Sequence, residues 1–402
     1  MSPTRRQSPC TRPYDATIRG HRDAMIGNQK HLFDIPEGVT YLNCASQTPL
    51  LRASVDAGAI GVARKAHPWE PVRENTAREA QEARALFAGL IGATADDIAL
   101  VPATSYGMAV AAANLDISPT QEILILHEQF PSNYYAWHQL AERCGARLTT
   151  TPRPADGNWT AAVLERIGPD TGIVSLPPCH WTDGSSLDLE AIGAECRSRG
   201  AAFVIDATQF VGAAPFDIAA VQPDFMVCSA YKWLLCPYTL AFLYAAPHRQ
   251  NGRPVEFHAG ARQAVTGGVE QGGGYAMDFV DSAHRYDMGQ RNNLINLPMA
   301  VAALRQLQEW TPQGIATALE PLTAHAAEKA AERGLSVPPA AHRVAHFIGM
   351  RGSEPPAPDL AERCAAEGVH FSLRSDAIRI SPYLFTSQAD IDRFFTVLDR
   401  HR

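Results

Sequence analysis

The 402-residue sequence has no uninterrupted apolar stretch of roughly 18 residues, the length a membrane-spanning helix needs, which argues against a membrane span. It has no long basic block either. The formal net charge is −7, so a phosphate backbone is not the partner the charge pattern favours. The stretch through Asp34 carries Arg5, Arg6, Arg12, Arg19, Arg22 and Lys30. It lacks the apolar core of roughly 7–15 residues that a secretory signal requires, so a cytoplasmic protein with a loose N-terminal arm is expected. The cysteines at 10, 44, 144, 179, 196, 228, 236 and 364 include no Cys-x-x-Cys pair. Buried thiols in a reducing compartment are expected in place of disulfides or a zinc site. The glycine-rich stretch 262–275 lacks a strand–GxGxxG–helix context, which speaks against a nucleotide-binding oxidoreductase. It reads as a loop over a site or at a subunit contact. No internal repeat is evident.

What is present is a chain that folds around a core: 46% apolar residues and 19% charged. Its length exceeds the usual size of one core, so two domains are expected after an arm at 1–40: a large one at 41–297 and a small one at 298–402. Ala80, Ala83, Leu86, Phe87, Leu90 and Ile91 recur at helical spacing and predict a helix over 72–91. Short apolar runs predict strands at 98–101, 122–126, 147–151, 171–176, 201–205, 225–228 and 240–245. Helical stretches at 108–114, 135–144 and 187–200 fall between them. This alternation predicts an α/β domain with a mostly parallel sheet. Beyond it, helices at 298–310, 319–334, 359–368 and 388–398 mix with strands at 343–350 and 377–381, a small α+β unit. Thr104, Phe130, His180, Asp206 and Lys232 all follow strands, and open α/β sheets bind ligands at the carboxyl ends of their strands. Thr104 and Ser105 stand between strand and helix, where hydroxyls serve either an anion site or a helix cap.

Lys232 lies between Phe225-Met226-Val227-Cys228 and Trp233-Leu234-Leu235. Apolar surroundings favour the neutral amine, which is a nucleophile and can form a Schiff base. Upstream, Val204-Ile205-Asp206 ends a β-branched run in an acid. Alone, the lysine reads as a snorkelling surface residue and the acid as a cap. Together they are the pair that pyridoxal phosphate requires, the acid for the pyridinium nitrogen and the lysine for the aldehyde.

These pieces resemble the fold-type I pyridoxal-phosphate enzymes of the class V aminotransferase group, which includes kynureninase and the cysteine desulfurases. The resemblance covers residues 40 to 400. It implies a seven-stranded-type sheet in a large domain, a small C-terminal domain and a homodimer. It implies that Lys232 forms the Schiff base, Asp206 pairs with the ring nitrogen and Gln209 lies near the phenolic oxygen. Thr104 and Ser105 fall where the family binds phosphate, and Ser229 and Tyr231 of Ser-Ala-Tyr-Lys are implied cofactor contacts. Phe130, in Phe-Pro-Ser-Asn, resembles the kynureninase residue that stacks on the ring. His180 stands where relatives carry an asparagine near the cofactor oxygen, with an implied substrate contact. Arg379 matches the arginine that grips the substrate carboxylate, a task suited to a bidentate fork; Arg291 and Arg374 are its nearest rivals.

The departures narrow the chemistry. The loop from Val369 to Ser375 has no cysteine, and Cys364 reads as a packing residue, so persulfide chemistry is disfavoured. Ser381-Pro382-Tyr383 replaces the family's Ser-Pro-His, and Gly289-Gln290 replaces its Gly-Thr, whose threonine can reach a neighbouring subunit's phosphate. The kynureninase-like segments favour a Cβ-bond lyase, C–S or C–C, acting on an amino acid after Cα deprotonation. An aminotransferase is the alternative. A catalytically idle pyridoxal-phosphate protein would lack the lysine or the acid, and both are present.

Overall fold

The computed structural model describes residues 26–70, 72–263 and 274–402. The chain begins β1 (Thr40–Tyr41), α1 (Arg52–Ala66), α2 (Val72–Ile91), β2 (Ile98–Val101), α3 (Thr104–Asn114), β3 (Glu122–Leu126), α4 (Tyr135–Cys144) and β4 (Arg147–Thr151). It continues α5 (Trp159–Arg166), β5 (Thr171–Leu176), α6 (Leu189–Arg199), β6 (Ala202–Asp206), α7 (Ile218–Val221), β7 (Phe225–Ser229) and β8 (Ala241–Ala245). Then follow α8 (Asn296–Trp310), α9 (Pro312–Ala331), β9 (Ile348–Arg351), α10 (Leu360–Ala366), β10 (Val369–His370), β11 (Ser372–Arg374), β12 (Ala377–Ile380) and α11 (Gln388–His401).

The main sheet has seven strands in the order β2-β8-β7-β6-β5-β3-β4. Only β8 runs against its neighbours, so the other six strands end at one edge. Alternation along each strand feeds two cores. Ile205, Met226, Cys228 and Phe242 pack with Phe87 of α2, Ile192 of α6 and Leu304 of α8. Val204, Phe225, Val227 and Leu243 pack with Met108 of α3 and Trp137 of α4. Burial on both faces explains why the central strands read as unbroken apolar runs.

A second sheet, β11-β12-β9, is antiparallel and shares a core with α9, α10 and α11 that includes Cys364. The N-terminal segment joins this unit: β1 pairs in parallel with β10, and the Gln29 amide donates to the Leu384 carbonyl. Among the described residues no helix is long and apolar enough to cross a membrane.

Several predicted elements change on inspection. Helix α3 starts at Thr104, not 108, and its cap residue is Ala103. Neither Thr104 nor Ser105 caps it, because the Thr104 hydroxyl is turned to other partners. Helix α9 starts at Pro312, since the Thr311 hydroxyl accepts the Gly314 amide and proline suits a first turn. The strand predicted at 343–350 shortens to Ile348–Arg351. Three helices, α1, α5 and α7, have no counterpart among the predicted elements. The glycine-rich loop predicted at 262–275 lies mostly outside the described residues, as does the arm before residue 26.

Candidate functional site

Beyond the ends of β5, β6 and β7 lies an open cavity of about 260 Å³. Its lining includes Thr104, Phe130, Trp181, Asp206, Thr208, Gln209, Ser229, Tyr231 and Lys232. Seven of these were named from the sequence; Trp181 and Thr208 were not.

Lys232 is 5% exposed, with Nζ 5.3 Å from the centre of the Phe130 ring and 5.4 Å from that of Tyr231. Burial, reinforced by the Arg379 charge, lowers its pKa to about 8 against the opposing pull of Asp206. An amine held there is partly neutral near physiological pH, as a nucleophile and proton acceptor requires. Asp206, the last residue of β6, is 6% exposed. Its Oδ1 accepts the Thr208 amide at 3.1 Å. Burial raises its pKa, and the Thr208 hydrogen bonds and the Lys232 charge only partly offset that. A cationic N–H in the cavity would complete this carboxylate's stabilisation.

Three hydroxyls gather where α3 begins. Thr104 Oγ1 lies 2.7 Å from Ser229 Oγ and 2.9 Å from Thr208 Oγ1, while the Ser229 amide donates to Thr208 Oγ1 at 3.1 Å. With the start of an 11-residue helix, they form a cradle suited to phosphate. Gln209 lines the cavity with its amide anchored: Oε1 accepts from Trp233 Nε1 at 2.9 Å and Nε2 donates to the Ala45 carbonyl at 2.8 Å. Phe130 meets Trp181 edge to face at 5.4 Å, and Tyr231 stacks on Tyr238 at 4.2 Å. Burial raises the Tyr231 pKa and keeps it a neutral phenol.

The structure does not bring every named residue to the cavity. Ser105 is exposed and lines a separate groove with Ala109, Tyr135 and Arg143, because it points away from the first turn's inner face. His180 is 1% exposed and does not line the cavity. Its ring stacks on Trp159 at 5.1 Å, Nε2 donates to the His127 carbonyl at 3.0 Å, and Nδ1 is 2.8 Å from Thr182 Oγ1. Burial lowers its pKa to about 4, so the ring is neutral with its proton on Nε2. The cofactor and substrate contacts expected of His180 are therefore corrected: both nitrogens are occupied by the protein. The neighbouring Trp181 enters the cavity, held by its Nε1–H on the Glu128 carbonyl at 2.7 Å. Nothing in the sequence separated these adjacent residues, since one step along a loop reverses direction.

Arg379 lies behind Trp181 and is 1% exposed. It donates to the Trp181 carbonyl at 2.6 Å, Ser46 Oγ at 2.8 Å and Ser372 Oγ at 3.3 Å. Burial, with the nearby Arg374 charge, lowers its pKa to about 9. Its rival Arg291 is occupied by Asp287 at 3.0 Å.

Comparison with known proteins bears on the family and the fold. The family model for aminotransferase class-V matches residues 62–335. An isopenicillin N epimerase from Streptomyces clavuligerus is 28% identical over 52% of this chain, a match spanning 54% of that relative's length. The uncharacterized aminotransferase YcbU of Bacillus subtilis is 24% identical over 80% of this chain and 83% of its own. In fold, the chain superimposes on the cystine C–S lyase C-DES, solved with cysteine persulfide. The TM-score is 0.79 at 17% identity, covering 90% of this chain and 97% of that one.

Proposed function

Because this chain belongs to the aminotransferase class-V family and thus works with pyridoxal phosphate, we propose that it is a lyase that cleaves a bond at Cβ of an amino-acid substrate. The residues present fit the cofactor. The buried Asp206 carboxylate, with its raised pKa, would hold the ring nitrogen. The hydroxyls of Thr104, Thr208 and Ser229 would hold the phosphate, Phe130 the ring face, Gln209 the phenolic side and Lys232 the aldehyde. When bound, pyridoxal phosphate supplies the electron sink that lets a Cα proton depart. Lys232 Nζ takes that proton, which its lowered pKa permits. Asp206 keeps the sink charged, and Arg379 orients the substrate by its carboxylate. Phe130, Trp181, Tyr231 and Tyr238 exclude water from one side of the cavity.

The observation that carries the reading is Lys232, a buried amine in the cavity where the strand-end Asp206 also opens. The choice of cleavage over transamination is supported by the Phe-Pro-Ser-Asn and Ser-Ala-Tyr-Lys segments. The reading includes a homodimer in the cytoplasm, with a cofactor-binding unit at 41–297 and a smaller unit at 298–402. Product analysis with a panel of β-substituted amino acids tests it. Ammonia and a keto acid released without an amino acceptor support cleavage. Turnover only with an acceptor supports an aminotransferase, and inversion at Cα without a keto acid would align the chain with its epimerase relative.

A further inference from the structure

Arg374 and Arg379 lie on the same face of the small sheet. Ser372 is opposite Arg379 across β11 and β12, and Arg374 is two residues from Ser372, so the alternation of a strand puts all three on one side. The two guanidinium groups meet at a single oxygen. Arg374 Nη2 donates to Ser46 Oγ at 2.7 Å and Arg379 Nη2 donates to it at 2.8 Å. Both acceptor positions of the hydroxyl are thus filled, and its own O–H remains a donor. The other bonds of both arginines go to neutral oxygens: Leu373 for Arg374, Trp181 and Ser372 for Arg379.

Among the described residues neither arginine has a carboxylate partner. The acids around them are already engaged. Glu128 pairs with Arg153, Asp183 with Arg153 and Arg351, and Asp376 with Arg351. Two cations brought together and partly dried without a counter-ion destabilise a fold unless an anion arrives. The Arg379 pKa falls through burial and then through the Arg374 charge, and burial lowers that of Arg374. One monocarboxylate neutralises one guanidinium and leaves the second.

We propose that Arg374, Arg379 and Ser46 form a two-anion subsite, and that the substrate is an amino acid whose short side chain carries a second carboxylate. Arg379 takes the α-carboxylate and Arg374 the side-chain one, with the Ser46 hydroxyl between them. The proposal rests on the reading of Arg379 given above and adds the substrate class. The spacer is short because the two Nη2 atoms are no further apart than their two bonds to Ser46 laid end to end. Amino acids of aspartate or glutamate length satisfy this.

Calorimetric titration of the holoenzyme with succinate and with butyrate tests the proposal. The two have the same carbon count and no amino group, and differ by one carboxylate. Succinate is expected to bind the wild type at least tenfold more tightly, the scale of about one charge-assisted contact. Arg374→Gln should bring succinate down to the affinity of butyrate and leave butyrate unchanged, and Arg374→Lys should restore part of the difference. Equal binding of both acids by the wild type, a comparison needing no variant, overturns the proposal. So does an Arg374→Gln protein that weakens both acids alike, which would place Arg374 in a clamp on one carboxylate. If Arg379→Gln leaves both affinities intact, the α-carboxylate reading itself fails, a result distinct from either.

Discussion

At the scale of single residues, burial turns ordinary side chains into reagents here. Asp206 is held in the cavity with hydrogen bonds from Thr208, and its charge is what the proposed contact with a pyridinium nitrogen would need. Asp206→Asn should keep bound cofactor yet lose turnover by roughly 100-fold or more, the scale of a catalytic proton-managing group. Steady-state rates beside the cofactor's absorbance check this, and unchanged turnover would remove Asp206 from the mechanism. Arg379→Ala should cost about 2–5 kcal/mol in transition-state binding, the scale for removing one partner of a buried charged pair. Arg379→Lys should recover only part, because lysine supplies charge without the fork. Kinetics with the substrate and its decarboxylated amine decide it: the alanine variant should discriminate less against the amine than the wild type does.

At the scale of elements, the sequence was most informative where apolar periodicity was strong. The strands at Ile98–Val101 and Thr171–Leu176 and the helix at Val72–Ile91 fall where their apolar patterns predict them. Helix α1 went unread because its buried face is Ser54, Gly58 and Gly61, small residues that carry no apolar signal. They are small because α8 lies against them. A Cβ on Gly58 would stand 2.8 Å from Met299 Sδ, and one on Gly61 would collide with the Leu294 carbonyl. Gly61→Ala should therefore destabilise the fold by about 1–3 kcal/mol through overpacking against backbone, whereas a flexible methionine lets Gly58→Ala cost less. Urea unfolding of both variants checks this, and equal stabilities would contradict it. The candidate site was legible for the same reason as the strands: its residues sit at strand ends. Where loops set direction, as at His180 and Trp181, sequence order carried no such information. Ser46 joins the arginines through contacts between distant parts of the chain, the pairing of β1 with β10 and the Cys44 and Ala45 amides on Ser381.

At the scale of the whole molecule, co-directional strand ends place Lys232 and Asp206 in one cavity, and the small sheet brings Arg374 and Arg379 near enough for their charges to act on Lys232. Light scattering at assay concentration is expected to show a homodimer, and an active monomer would contradict that part of the account. The central claim is that Lys232 carries the cofactor. The chain has only three other lysines, Lys30, Lys65 and Lys329, none of them fully buried. The most direct measurement is borohydride reduction of the purified holoenzyme followed by peptide mapping. The account predicts one pyridoxyl-modified peptide, containing Lys232, and no covalent label in Lys232→Ala. A label on Lys30, Lys65 or Lys329, or one that persists in Lys232→Ala, would contradict it.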